Sequence, residues 1–243
     1  MSFLDVTPGQ EARNGQQLPP QDLPPQVLAR LFHELRRPLS SIQAHGELLA
    51  DGIHGQLEPA QQESVERIHG ACVELASEMQ RLHDLWVLPL QTPQRELPEM
   101  DLVTIVEQVA RRAGAPVMVQ TPPGPVLALA HPEYVSRAVS ELIENAITHG
   151  RCASGAPATV RVVVSRSGDM ASIQVRDEGP GIPKAECSEV FDAHRQGTTC
   201  ATGARGLGIG LALARIYARY MGGEVELLEA AGGTTVALSL RAA

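Results

Sequence analysis

The sequence predicts an α+β protein in which a helical hairpin precedes a two-layer α/β sandwich. Three observations lead to this fold class. Apolar residues recur at steps of three and four between residues 27 and 86, prolines cluster after residue 88, and helix-like and strand-like segments alternate beyond residue 101. We therefore expect four segments: a disordered Pro/Gln-rich arm over 1–25, a hairpin domain over 26–88, a linker over 89–100 and a sandwich domain over 101–243.

Composition excludes several classes of protein. Hydrophobic residues make up 43% of the 243 positions, which is enough for a core, and the net charge of −8 argues against a general nucleic-acid binder. No run approaches the roughly 20 apolar residues of a membrane span, and Met1–Gln10 lacks the basic start of a signal peptide. The four cysteines form no C-x-x-C pair. We expect a cytoplasmic protein with no membrane insertion.

Two amphipathic helices are predicted in the first domain. The first runs from Val27 to about Ala50, and a short turn at Asp51–Gly55 leads to the second. The second helix repeats apolar residues at steps of three and four, as in a coiled coil: Val65, Ile68, Cys72, Leu75, Met79, Leu82 and Trp86. Such a hairpin leaves an apolar stripe uncovered, so we expect a homodimeric four-helix bundle. The alternative is a hairpin packed on the rest of its own chain.

The second domain reads as a mixture of helices and short strands. Helices are predicted over Leu102–Arg112, Tyr134–Thr148 and Leu207–Tyr220. Strands are predicted over Val160–Val164, Ser172–Asp177, Glu224–Leu228 and Thr234–Leu240. This order of elements favours one sheet covered by helices.

A histidine inside the first helix stands in an unusual context, Phe32-His33-Glu34-Leu35-Arg36-Arg37-Pro38-Leu39. An exposed neutral histidine can attack with one ring nitrogen, and Glu34 could accept a hydrogen bond from the other and fix the tautomer. Pro38 donates no backbone hydrogen bond, which frees the Glu34 carbonyl and favours a bend. A histidine on a helix is, by itself, more often an ordinary surface residue.

Three further motifs follow in the second domain: Glu141-Leu142-Ile143-Glu144-Asn145, Asp177-Glu178-Gly179-Pro180-Gly181 and Gly206-Leu207-Gly208-Ile209-Gly210. The four-residue spacing places Glu141 and Asn145 on one helix face. Alternate glycines that lead into a helix expose backbone N–H groups where phosphates can bind. Each motif alone is a weak signal.

Together and in this order, the four motifs resemble a two-component sensor histidine kinase over about residues 25–243. The resemblance implies ATP and Mg²⁺ as cofactors, with His33 as phosphoacceptor beside Glu34 and Asn145 as the Mg²⁺ ligand. Glu141 resembles the carboxylate that orients or deprotonates the attacking group. The resemblance also implies that Asp177 accepts a hydrogen bond from adenine. Nucleotide binding would further use five glycines: Gly179, Gly181, Gly206, Gly208 and Gly210. Residues 192–204 would form a lid.

The expected function is therefore a soluble histidine kinase that autophosphorylates His33 and passes the phosphoryl group to an aspartate of a response-regulator receiver domain. A separate sensory protein would supply the signal. The alternative is a non-catalytic phosphotransfer or scaffold dimer with a degenerate ATPase-like domain. Three positions depart from the family pattern. Thr148 stands where a basic residue is common, Arg37 stands where a small polar residue assists dephosphorylation, and His194 stands where a second aromatic residue is common.

Overall fold

The structure is a computed structural model that describes residues 24–53, 55–92, 96–150, 159–187, 189–192, 208–230 and 232–243. The chain forms two compact units, Met1–Val73 and Glu74–Ala243. The division falls inside the second helix, so the last turns of that helix belong to the second unit. The functional domain boundaries that we expect from the sequence stay predictions.

The first unit is built on a helical hairpin, as predicted. Helix α1 spans Pro25–Ala50 and helix α2 spans Pro59–Val87. Pro25 occupies the first turn of α1, where its missing N–H would be unpaired in any case, and α1 continues through Pro38. The apolar residues of α1 fall into two groups. Leu28, Phe32 and Leu39 are buried, whereas another set is exposed: Leu31, Leu35, Ile42 and Leu49.

The predicted apolar seam of α2 divides in the same way. Val65 and Cys72 are buried, and Ile68 and Leu75 are about half exposed. Leu82 and Trp86 instead pack against the core of the second unit. The prediction of one continuous seam is therefore wrong for the end of α2. The three- and four-residue spacing is the same for a helix that packs on its own chain as for one that packs on a second copy.

In the residues that the structure describes, the second unit contains a short 3-10 helix, Leu88–Leu90, three α-helices and seven strands. The helices are α3 (Leu102–Arg112), α4 (Pro132–His149) and α5 (Gly210–Tyr220). The strands are β1 (Glu99–Asp101), β2 (Val117–Gln120), β3 (Leu127–Leu129), β4 (Val160–Ser167), β5 (Met170–Arg176), β6 (Glu224–Leu228) and β7 (Thr235–Arg241).

Five strands form one mixed sheet in the order β2-β4-β5-β7-β6, in which only the β2–β4 pair is parallel. Strands β1 and β3 pair separately. Alternate residues of β4 and β5 are buried, and they join one apolar cluster with the buried faces of α3, α4 and α5. The predicted α+β class and two-layer sandwich are confirmed.

Helix α3 shows how local chemistry fixes an element. The Asp101 carboxylate caps its first turn by accepting hydrogen bonds from the Val103 and Thr104 N–H groups, at 3.1 and 3.3 Å. It also accepts one from Val126 N–H at 3.0 Å, which holds the approach to β3. Burial acts to raise the pKa of Asp101, but these hydrogen bonds and that of the Thr104 hydroxyl bring it below its ordinary value.

The structure differs from some sequence predictions, and other predictions fall on residues that it does not describe. Strands β1, β2 and β3 were not predicted, and β1 overlaps the end of the expected linker. Helix α4 begins at Pro132, two residues before the predicted start. The predicted arm up to Leu23, most of the predicted lid, and the first two residues of the last glycine motif lie outside the described residues. Among the described residues, no helix is both long and apolar enough to cross a membrane.

Candidate functional site

His33 lies on an exposed part of α1, between the buried Phe32 and the exposed Glu34. The hydrogen bond expected between His33 and Glu34 is not formed. Glu34 instead accepts a hydrogen bond from Arg30 Nε at 2.9 Å, one helical turn earlier. Consecutive residues on a helix point in different directions, whereas residues four apart are neighbours, so the geometry favours Arg30. The His33 ring is open to solvent.

Asp177 lies directly after β5 and is only 5% exposed. Its Oδ1 atom accepts two backbone hydrogen bonds, from Gly179 N–H at 2.8 Å and from Thr234 N–H at 3.1 Å. Its own N–H donates to the Thr234 carbonyl at 3.0 Å. Among the described residues, no hydrogen bond ends on Oδ2. The carboxylate is thus fixed through one oxygen, and the other oxygen can accept a further hydrogen bond.

Three glycines pack against Asp177 so tightly that no side chain fits. A Cβ on Gly150 would lie 2.6 Å from Asp177 Cβ and 2.2 Å from the Ala146 carbonyl oxygen. A Cβ on Gly179 would lie 3.0 Å from Asp177 Oδ1, and one on Gly233 would lie 2.0 Å from the Asp177 carbonyl oxygen. Gly179 was predicted from the sequence. Gly150 and Gly233 were not, because their role depends on chain segments that are distant in sequence.

Three of the remaining predicted glycines lie close to this aspartate or at the start of α5: Gly181, Gly208 and Gly210. Gly181 and Gly208 have φ angles of +78° and +66°, in the left-handed region that favours glycine. Gly210 is the first residue of α5, and a Cβ there would lie 3.0 Å from Glu141 Oε2. The absence of a side chain therefore lets the N-terminus of α5 approach α4. Gly206 lies outside the described residues.

Helix α4 carries Glu141 and Asn145 one turn apart, as the spacing predicts. Glu141 is 8% exposed and its Oε2 accepts a hydrogen bond from Arg81 Nη2 of α2 at 2.7 Å. Burial raises the pKa of Glu141 to about 7; Arg81 opposes this change, while the neighbouring Glu144 and Glu78 carboxylates add to it. Glu141 is thus poised between its charged and neutral forms near neutral pH. The contact with Arg81 was not predicted from the sequence.

A second carboxylate, Asp84, fastens the end of α2 to α4 and α5. It is 3% exposed and accepts hydrogen bonds from Tyr217 Oη at 2.8 Å, Gln80 Nε2 at 2.7 Å and Arg137 Nη1. Arg137 also contacts Glu133. Burial, then the Asp84 charge, raise the pKa of the Tyr217 hydroxyl well above its ordinary value. Arg81–Glu141 and Asp84–Arg137 are therefore two successive ion pairs between α2 and α4.

Asn145 is the predicted Mg²⁺ ligand. Its side chain is half-buried, and within the described part of the chain it makes no hydrogen bond. The described residues contain no group of three or more His, Cys, Asp and Glu side chains that could hold a metal. A single neutral amide oxygen fits Mg²⁺, which commonly keeps several waters and takes phosphate oxygens as ligands.

The fold and these contacts define a class of protein: an α/β sandwich with a buried aspartate packed against glycines, preceded in the chain by a helical hairpin that exposes a histidine. Comparisons with known proteins agree. Residues 130–243 match the family described as histidine kinase-, DNA gyrase B- and HSP90-like ATPase, and residues 26–85 match the His Kinase A phospho-acceptor domain. The chain belongs to the two-component sensor histidine kinase family.

Individual relatives share part of their length with this chain. It is 30% identical to the sensor histidine kinase GlrK of Escherichia coli over 85% of this chain and 44% of the relative. It is 28% identical to the histidine-protein kinase AfsQ2 of Streptomyces coelicolor over 86% and 40%. Full-length ShkA, solved in complex with AMPPNP, superposes with a TM-score of 0.70 at 22% identity over 91% of this chain and 46% of that one. The chain thus spans less than half the length of these relatives.

Proposed function

We propose that this chain transfers the γ-phosphoryl group of ATP to His33 and then to an aspartate of a response-regulator receiver domain. The observation that carries the proposal is the Asp177 carboxylate, which is buried beside three glycines and held through Oδ1. Its Oδ2 would then accept a hydrogen bond from the nucleotide. A carboxylate oxygen can accept a hydrogen bond from the amino group of adenine, whereas guanine presents a carbonyl oxygen at the corresponding position. This arrangement supports selection of an adenine nucleotide.

The phosphates would lie between the N-terminus of α5 and the Asn145 side of α4. The exposed N–H groups at Gly208 and Gly210 and the partial positive charge of the helix terminus favour an anion there. Asn145 would ligate Mg²⁺ through its side-chain oxygen. The bound Mg²⁺ would neutralise part of the phosphate charge, which is the main electrostatic requirement of phosphoryl transfer.

The transfer itself needs an exposed nucleophile in line with the leaving group. A lone pair on a His33 ring nitrogen forms the N–P bond as the bond from the γ-phosphorus to the bridging oxygen breaks, and ADP leaves with that electron pair. Glu34 is the residue that follows His33 in the sequence and would orient the ring or accept its proton. Because Glu34 is bound to Arg30, this role requires Arg30 to release it.

Homodimerisation through the hairpin is part of the proposal. Nine of the thirteen large hydrophobic residues that are exposed in the described chain fall between residues 27 and 75. Eight of them lie on α1 and α2, among them Ile42, Leu49, Ile68 and Leu75. A groove between the helices is lined by Ile42, Leu49 and Ile68. An exposed apolar stripe of this kind favours a second copy of the hairpin.

The remaining partners follow from the same reaction. A receiver domain would take the phosphoryl group from His33, and a separate sensory protein would control the process. Arg37, one turn after His33, is a bulky cation that can contact an acidic receiver pocket but cannot position a water as a small hydroxyl does. We therefore propose a cytoplasmic kinase and phosphotransferase with little phosphatase activity.

The test is to incubate the purified chain with γ-labelled ATP and Mg²⁺. We expect label that is lost in acid and retained in base, as for a phosphoramidate. His33→Gln should abolish the label and leave nucleotide binding unchanged, because it removes the nucleophile alone. His45→Gln, a change at another exposed histidine of α1, is the control and should label normally. Binding without labelling in the wild type would favour the non-catalytic scaffold.

A further inference from the structure

Arg81 lies between the two parts of the proposed nucleotide site that would bind phosphate, which are helix α4 near Asn145 and the N-terminus of α5. Its Nη2 donates to Glu141, one turn before Asn145, at 2.7 Å. The same atom is 3.9 Å from the position that a Cβ on Gly210, the first residue of α5, would occupy. A side chain from α2 therefore reaches both the helix that carries Asn145 and the helix N-terminus at which phosphates would bind.

The side chains around Arg81 are mostly acidic, so a phosphate group would need a cation to bind there. The Glu144 and Glu78 carboxylates both act to raise the pKa of Glu141, so three acidic side chains lie near one another on this side of α2 and α4. The one basic residue of α4 other than histidine is Arg137, which is already bound by Asp84 and Glu133. Thr148 stands where the family often has a basic residue. In the described part of the chain, Arg81 is the cation that contacts these carboxylates, at Glu78 and Glu141.

The guanidinium group of Arg81 can change partners. Nη1 contacts Glu78 at 3.2 Å, Nη2 contacts Glu141, and the buried Nε has no hydrogen-bond partner among the described residues. Arginine binds phosphate and carboxylate oxygens with the same planar set of donors. A terminal phosphate group carries more negative charge than a single carboxylate and can therefore displace Glu141 from Arg81.

The position of Arg81 is fixed by its neighbour on α2. Asp84, three residues later, is bound to Tyr217 of α5 and Arg137 of α4, so this turn of α2 is held against both helices. Arg81 consequently needs only a side-chain rotation to reach a phosphate at the N-terminus of α5. An arginine that is held in place in this way loses little entropy when it binds.

We propose that Arg81 binds the terminal phosphate of the nucleoside triphosphate and is held by Glu141 when no nucleotide is bound. The inference rests on the proposed nucleotide site. It assigns to the end of α2 a role in distinguishing ATP from ADP, because the diphosphate lacks the group that Arg81 contacts. Glu141 is then released when the triphosphate binds.

The experiment measures equilibrium binding of ADP and of the β,γ-imido analogue of ATP to the full chain with Mg²⁺. Arg81→Met should weaken triphosphate binding at least about tenfold, the size of a lost hydrogen bond to a charged group, and change ADP binding less than about twofold. Arg111→Met, at an exposed ion pair on α3, is the matched control and should change neither. Arg81→Lys keeps the charge and should show a smaller triphosphate-specific loss.

Equal losses for both nucleotides would assign Arg81 a structural role and overturn the proposal, as would unchanged triphosphate binding. If Arg81→Met loses its helical circular dichroism, Arg81→Lys decides the same question. A wild-type chain that binds neither nucleotide would instead remove the proposed function. Since binding is measured without phosphoryl transfer, the two failures are distinguishable.

Discussion

Asp84 is the residue on which the attachment of α2 to the second unit should depend most. It is a buried carboxylate that neutralises Arg137 and accepts the hydroxyl hydrogen bond of the buried Tyr217. Asp84→Ala leaves the Tyr217 hydroxyl and Arg137 Nη1 without this acceptor, while Arg137 Nη2 keeps its contact with Glu133. Removing one partner of a buried ion pair costs about 3–5 kcal/mol, and the Arg137 side chain is 29% exposed, so we expect a value near the lower end, about 3 kcal/mol.

The assay uses the single tryptophan of the chain. Trp86 lies two residues after Asp84 and packs against the core of the second unit, so its fluorescence reports on the attachment of α2. Urea unfolding followed by Trp86 emission gives the free energy of unfolding of wild type and variant. Tyr217→Phe removes one hydrogen bond and should cost about 1 kcal/mol. In Asp84→Ala, the same Tyr217→Phe change should cost much less, because its partner is already absent.

The matched control is Glu63→Ala, which removes an exposed carboxylate that pairs with Arg67 on the same helix. Exposed pairs of this kind contribute less than about 0.5 kcal/mol. If Asp84→Ala costs no more than the control, or if the Asp84 and Tyr217 changes are additive, the reasoning from burial and hydrogen bonding is refuted.

Two further predictions concern Glu141 and the hairpin. Folding raises the pKa of Glu141 from an ordinary 4.5 to about 7. Below pH 4.5 the carboxyl group is protonated in both states and the shift does not affect stability. Between pH 4.5 and pH 7 the unfolded state loses the proton more readily, so the free energy of unfolding falls. Glu141→Gln, which cannot ionise, should therefore gain stability relative to wild type between pH 5 and pH 8, by up to about 3 kcal/mol in urea unfolding; a pH-independent difference would contradict this. The double change Ile42→Glu and Ile68→Glu should convert the dimer to a monomer, as measured by light scattering, because it places charges in an apolar interface. Met170→Glu, a change at an exposed apolar position of the second unit, should leave the dimer intact. A monomeric wild type would exclude the proposed interface.

The helices and the long strands were predictable because their hydrophobic spacing is local. Strands β1 and β3 have three residues each and β2 has four, too few for alternation to be recognised. The division of the α2 seam was not predictable for a different reason. Leu75 and Leu82 occupy equivalent positions in the repeat, yet the first is exposed and the second packs against the second unit. Spacing identifies the apolar face but does not identify what covers it.

The candidate site shows the same contrast. Glu141, Asn145 and Asp177 were predicted because they stand in short motifs in a recognisable order. Arg81 and Asp84 were not, since their partners Glu141 and Arg137 are 60 and 53 residues away and no local pattern marks such pairs. The expected bond between His33 and Glu34 was wrong because Arg30 is the nearer neighbour on the helix surface.

The central claim is that His33 is the residue that receives the phosphoryl group. The most direct measurement is to locate the phosphorylated residue by peptide mass spectrometry at neutral or alkaline pH, after the full chain reacts with ATP and Mg²⁺. The account predicts phosphate on His33 in the wild type and its loss in Asp177→Asn, which weakens adenine binding. Phosphate on another residue, or on His33 with equal yield in Asp177→Asn, would contradict it.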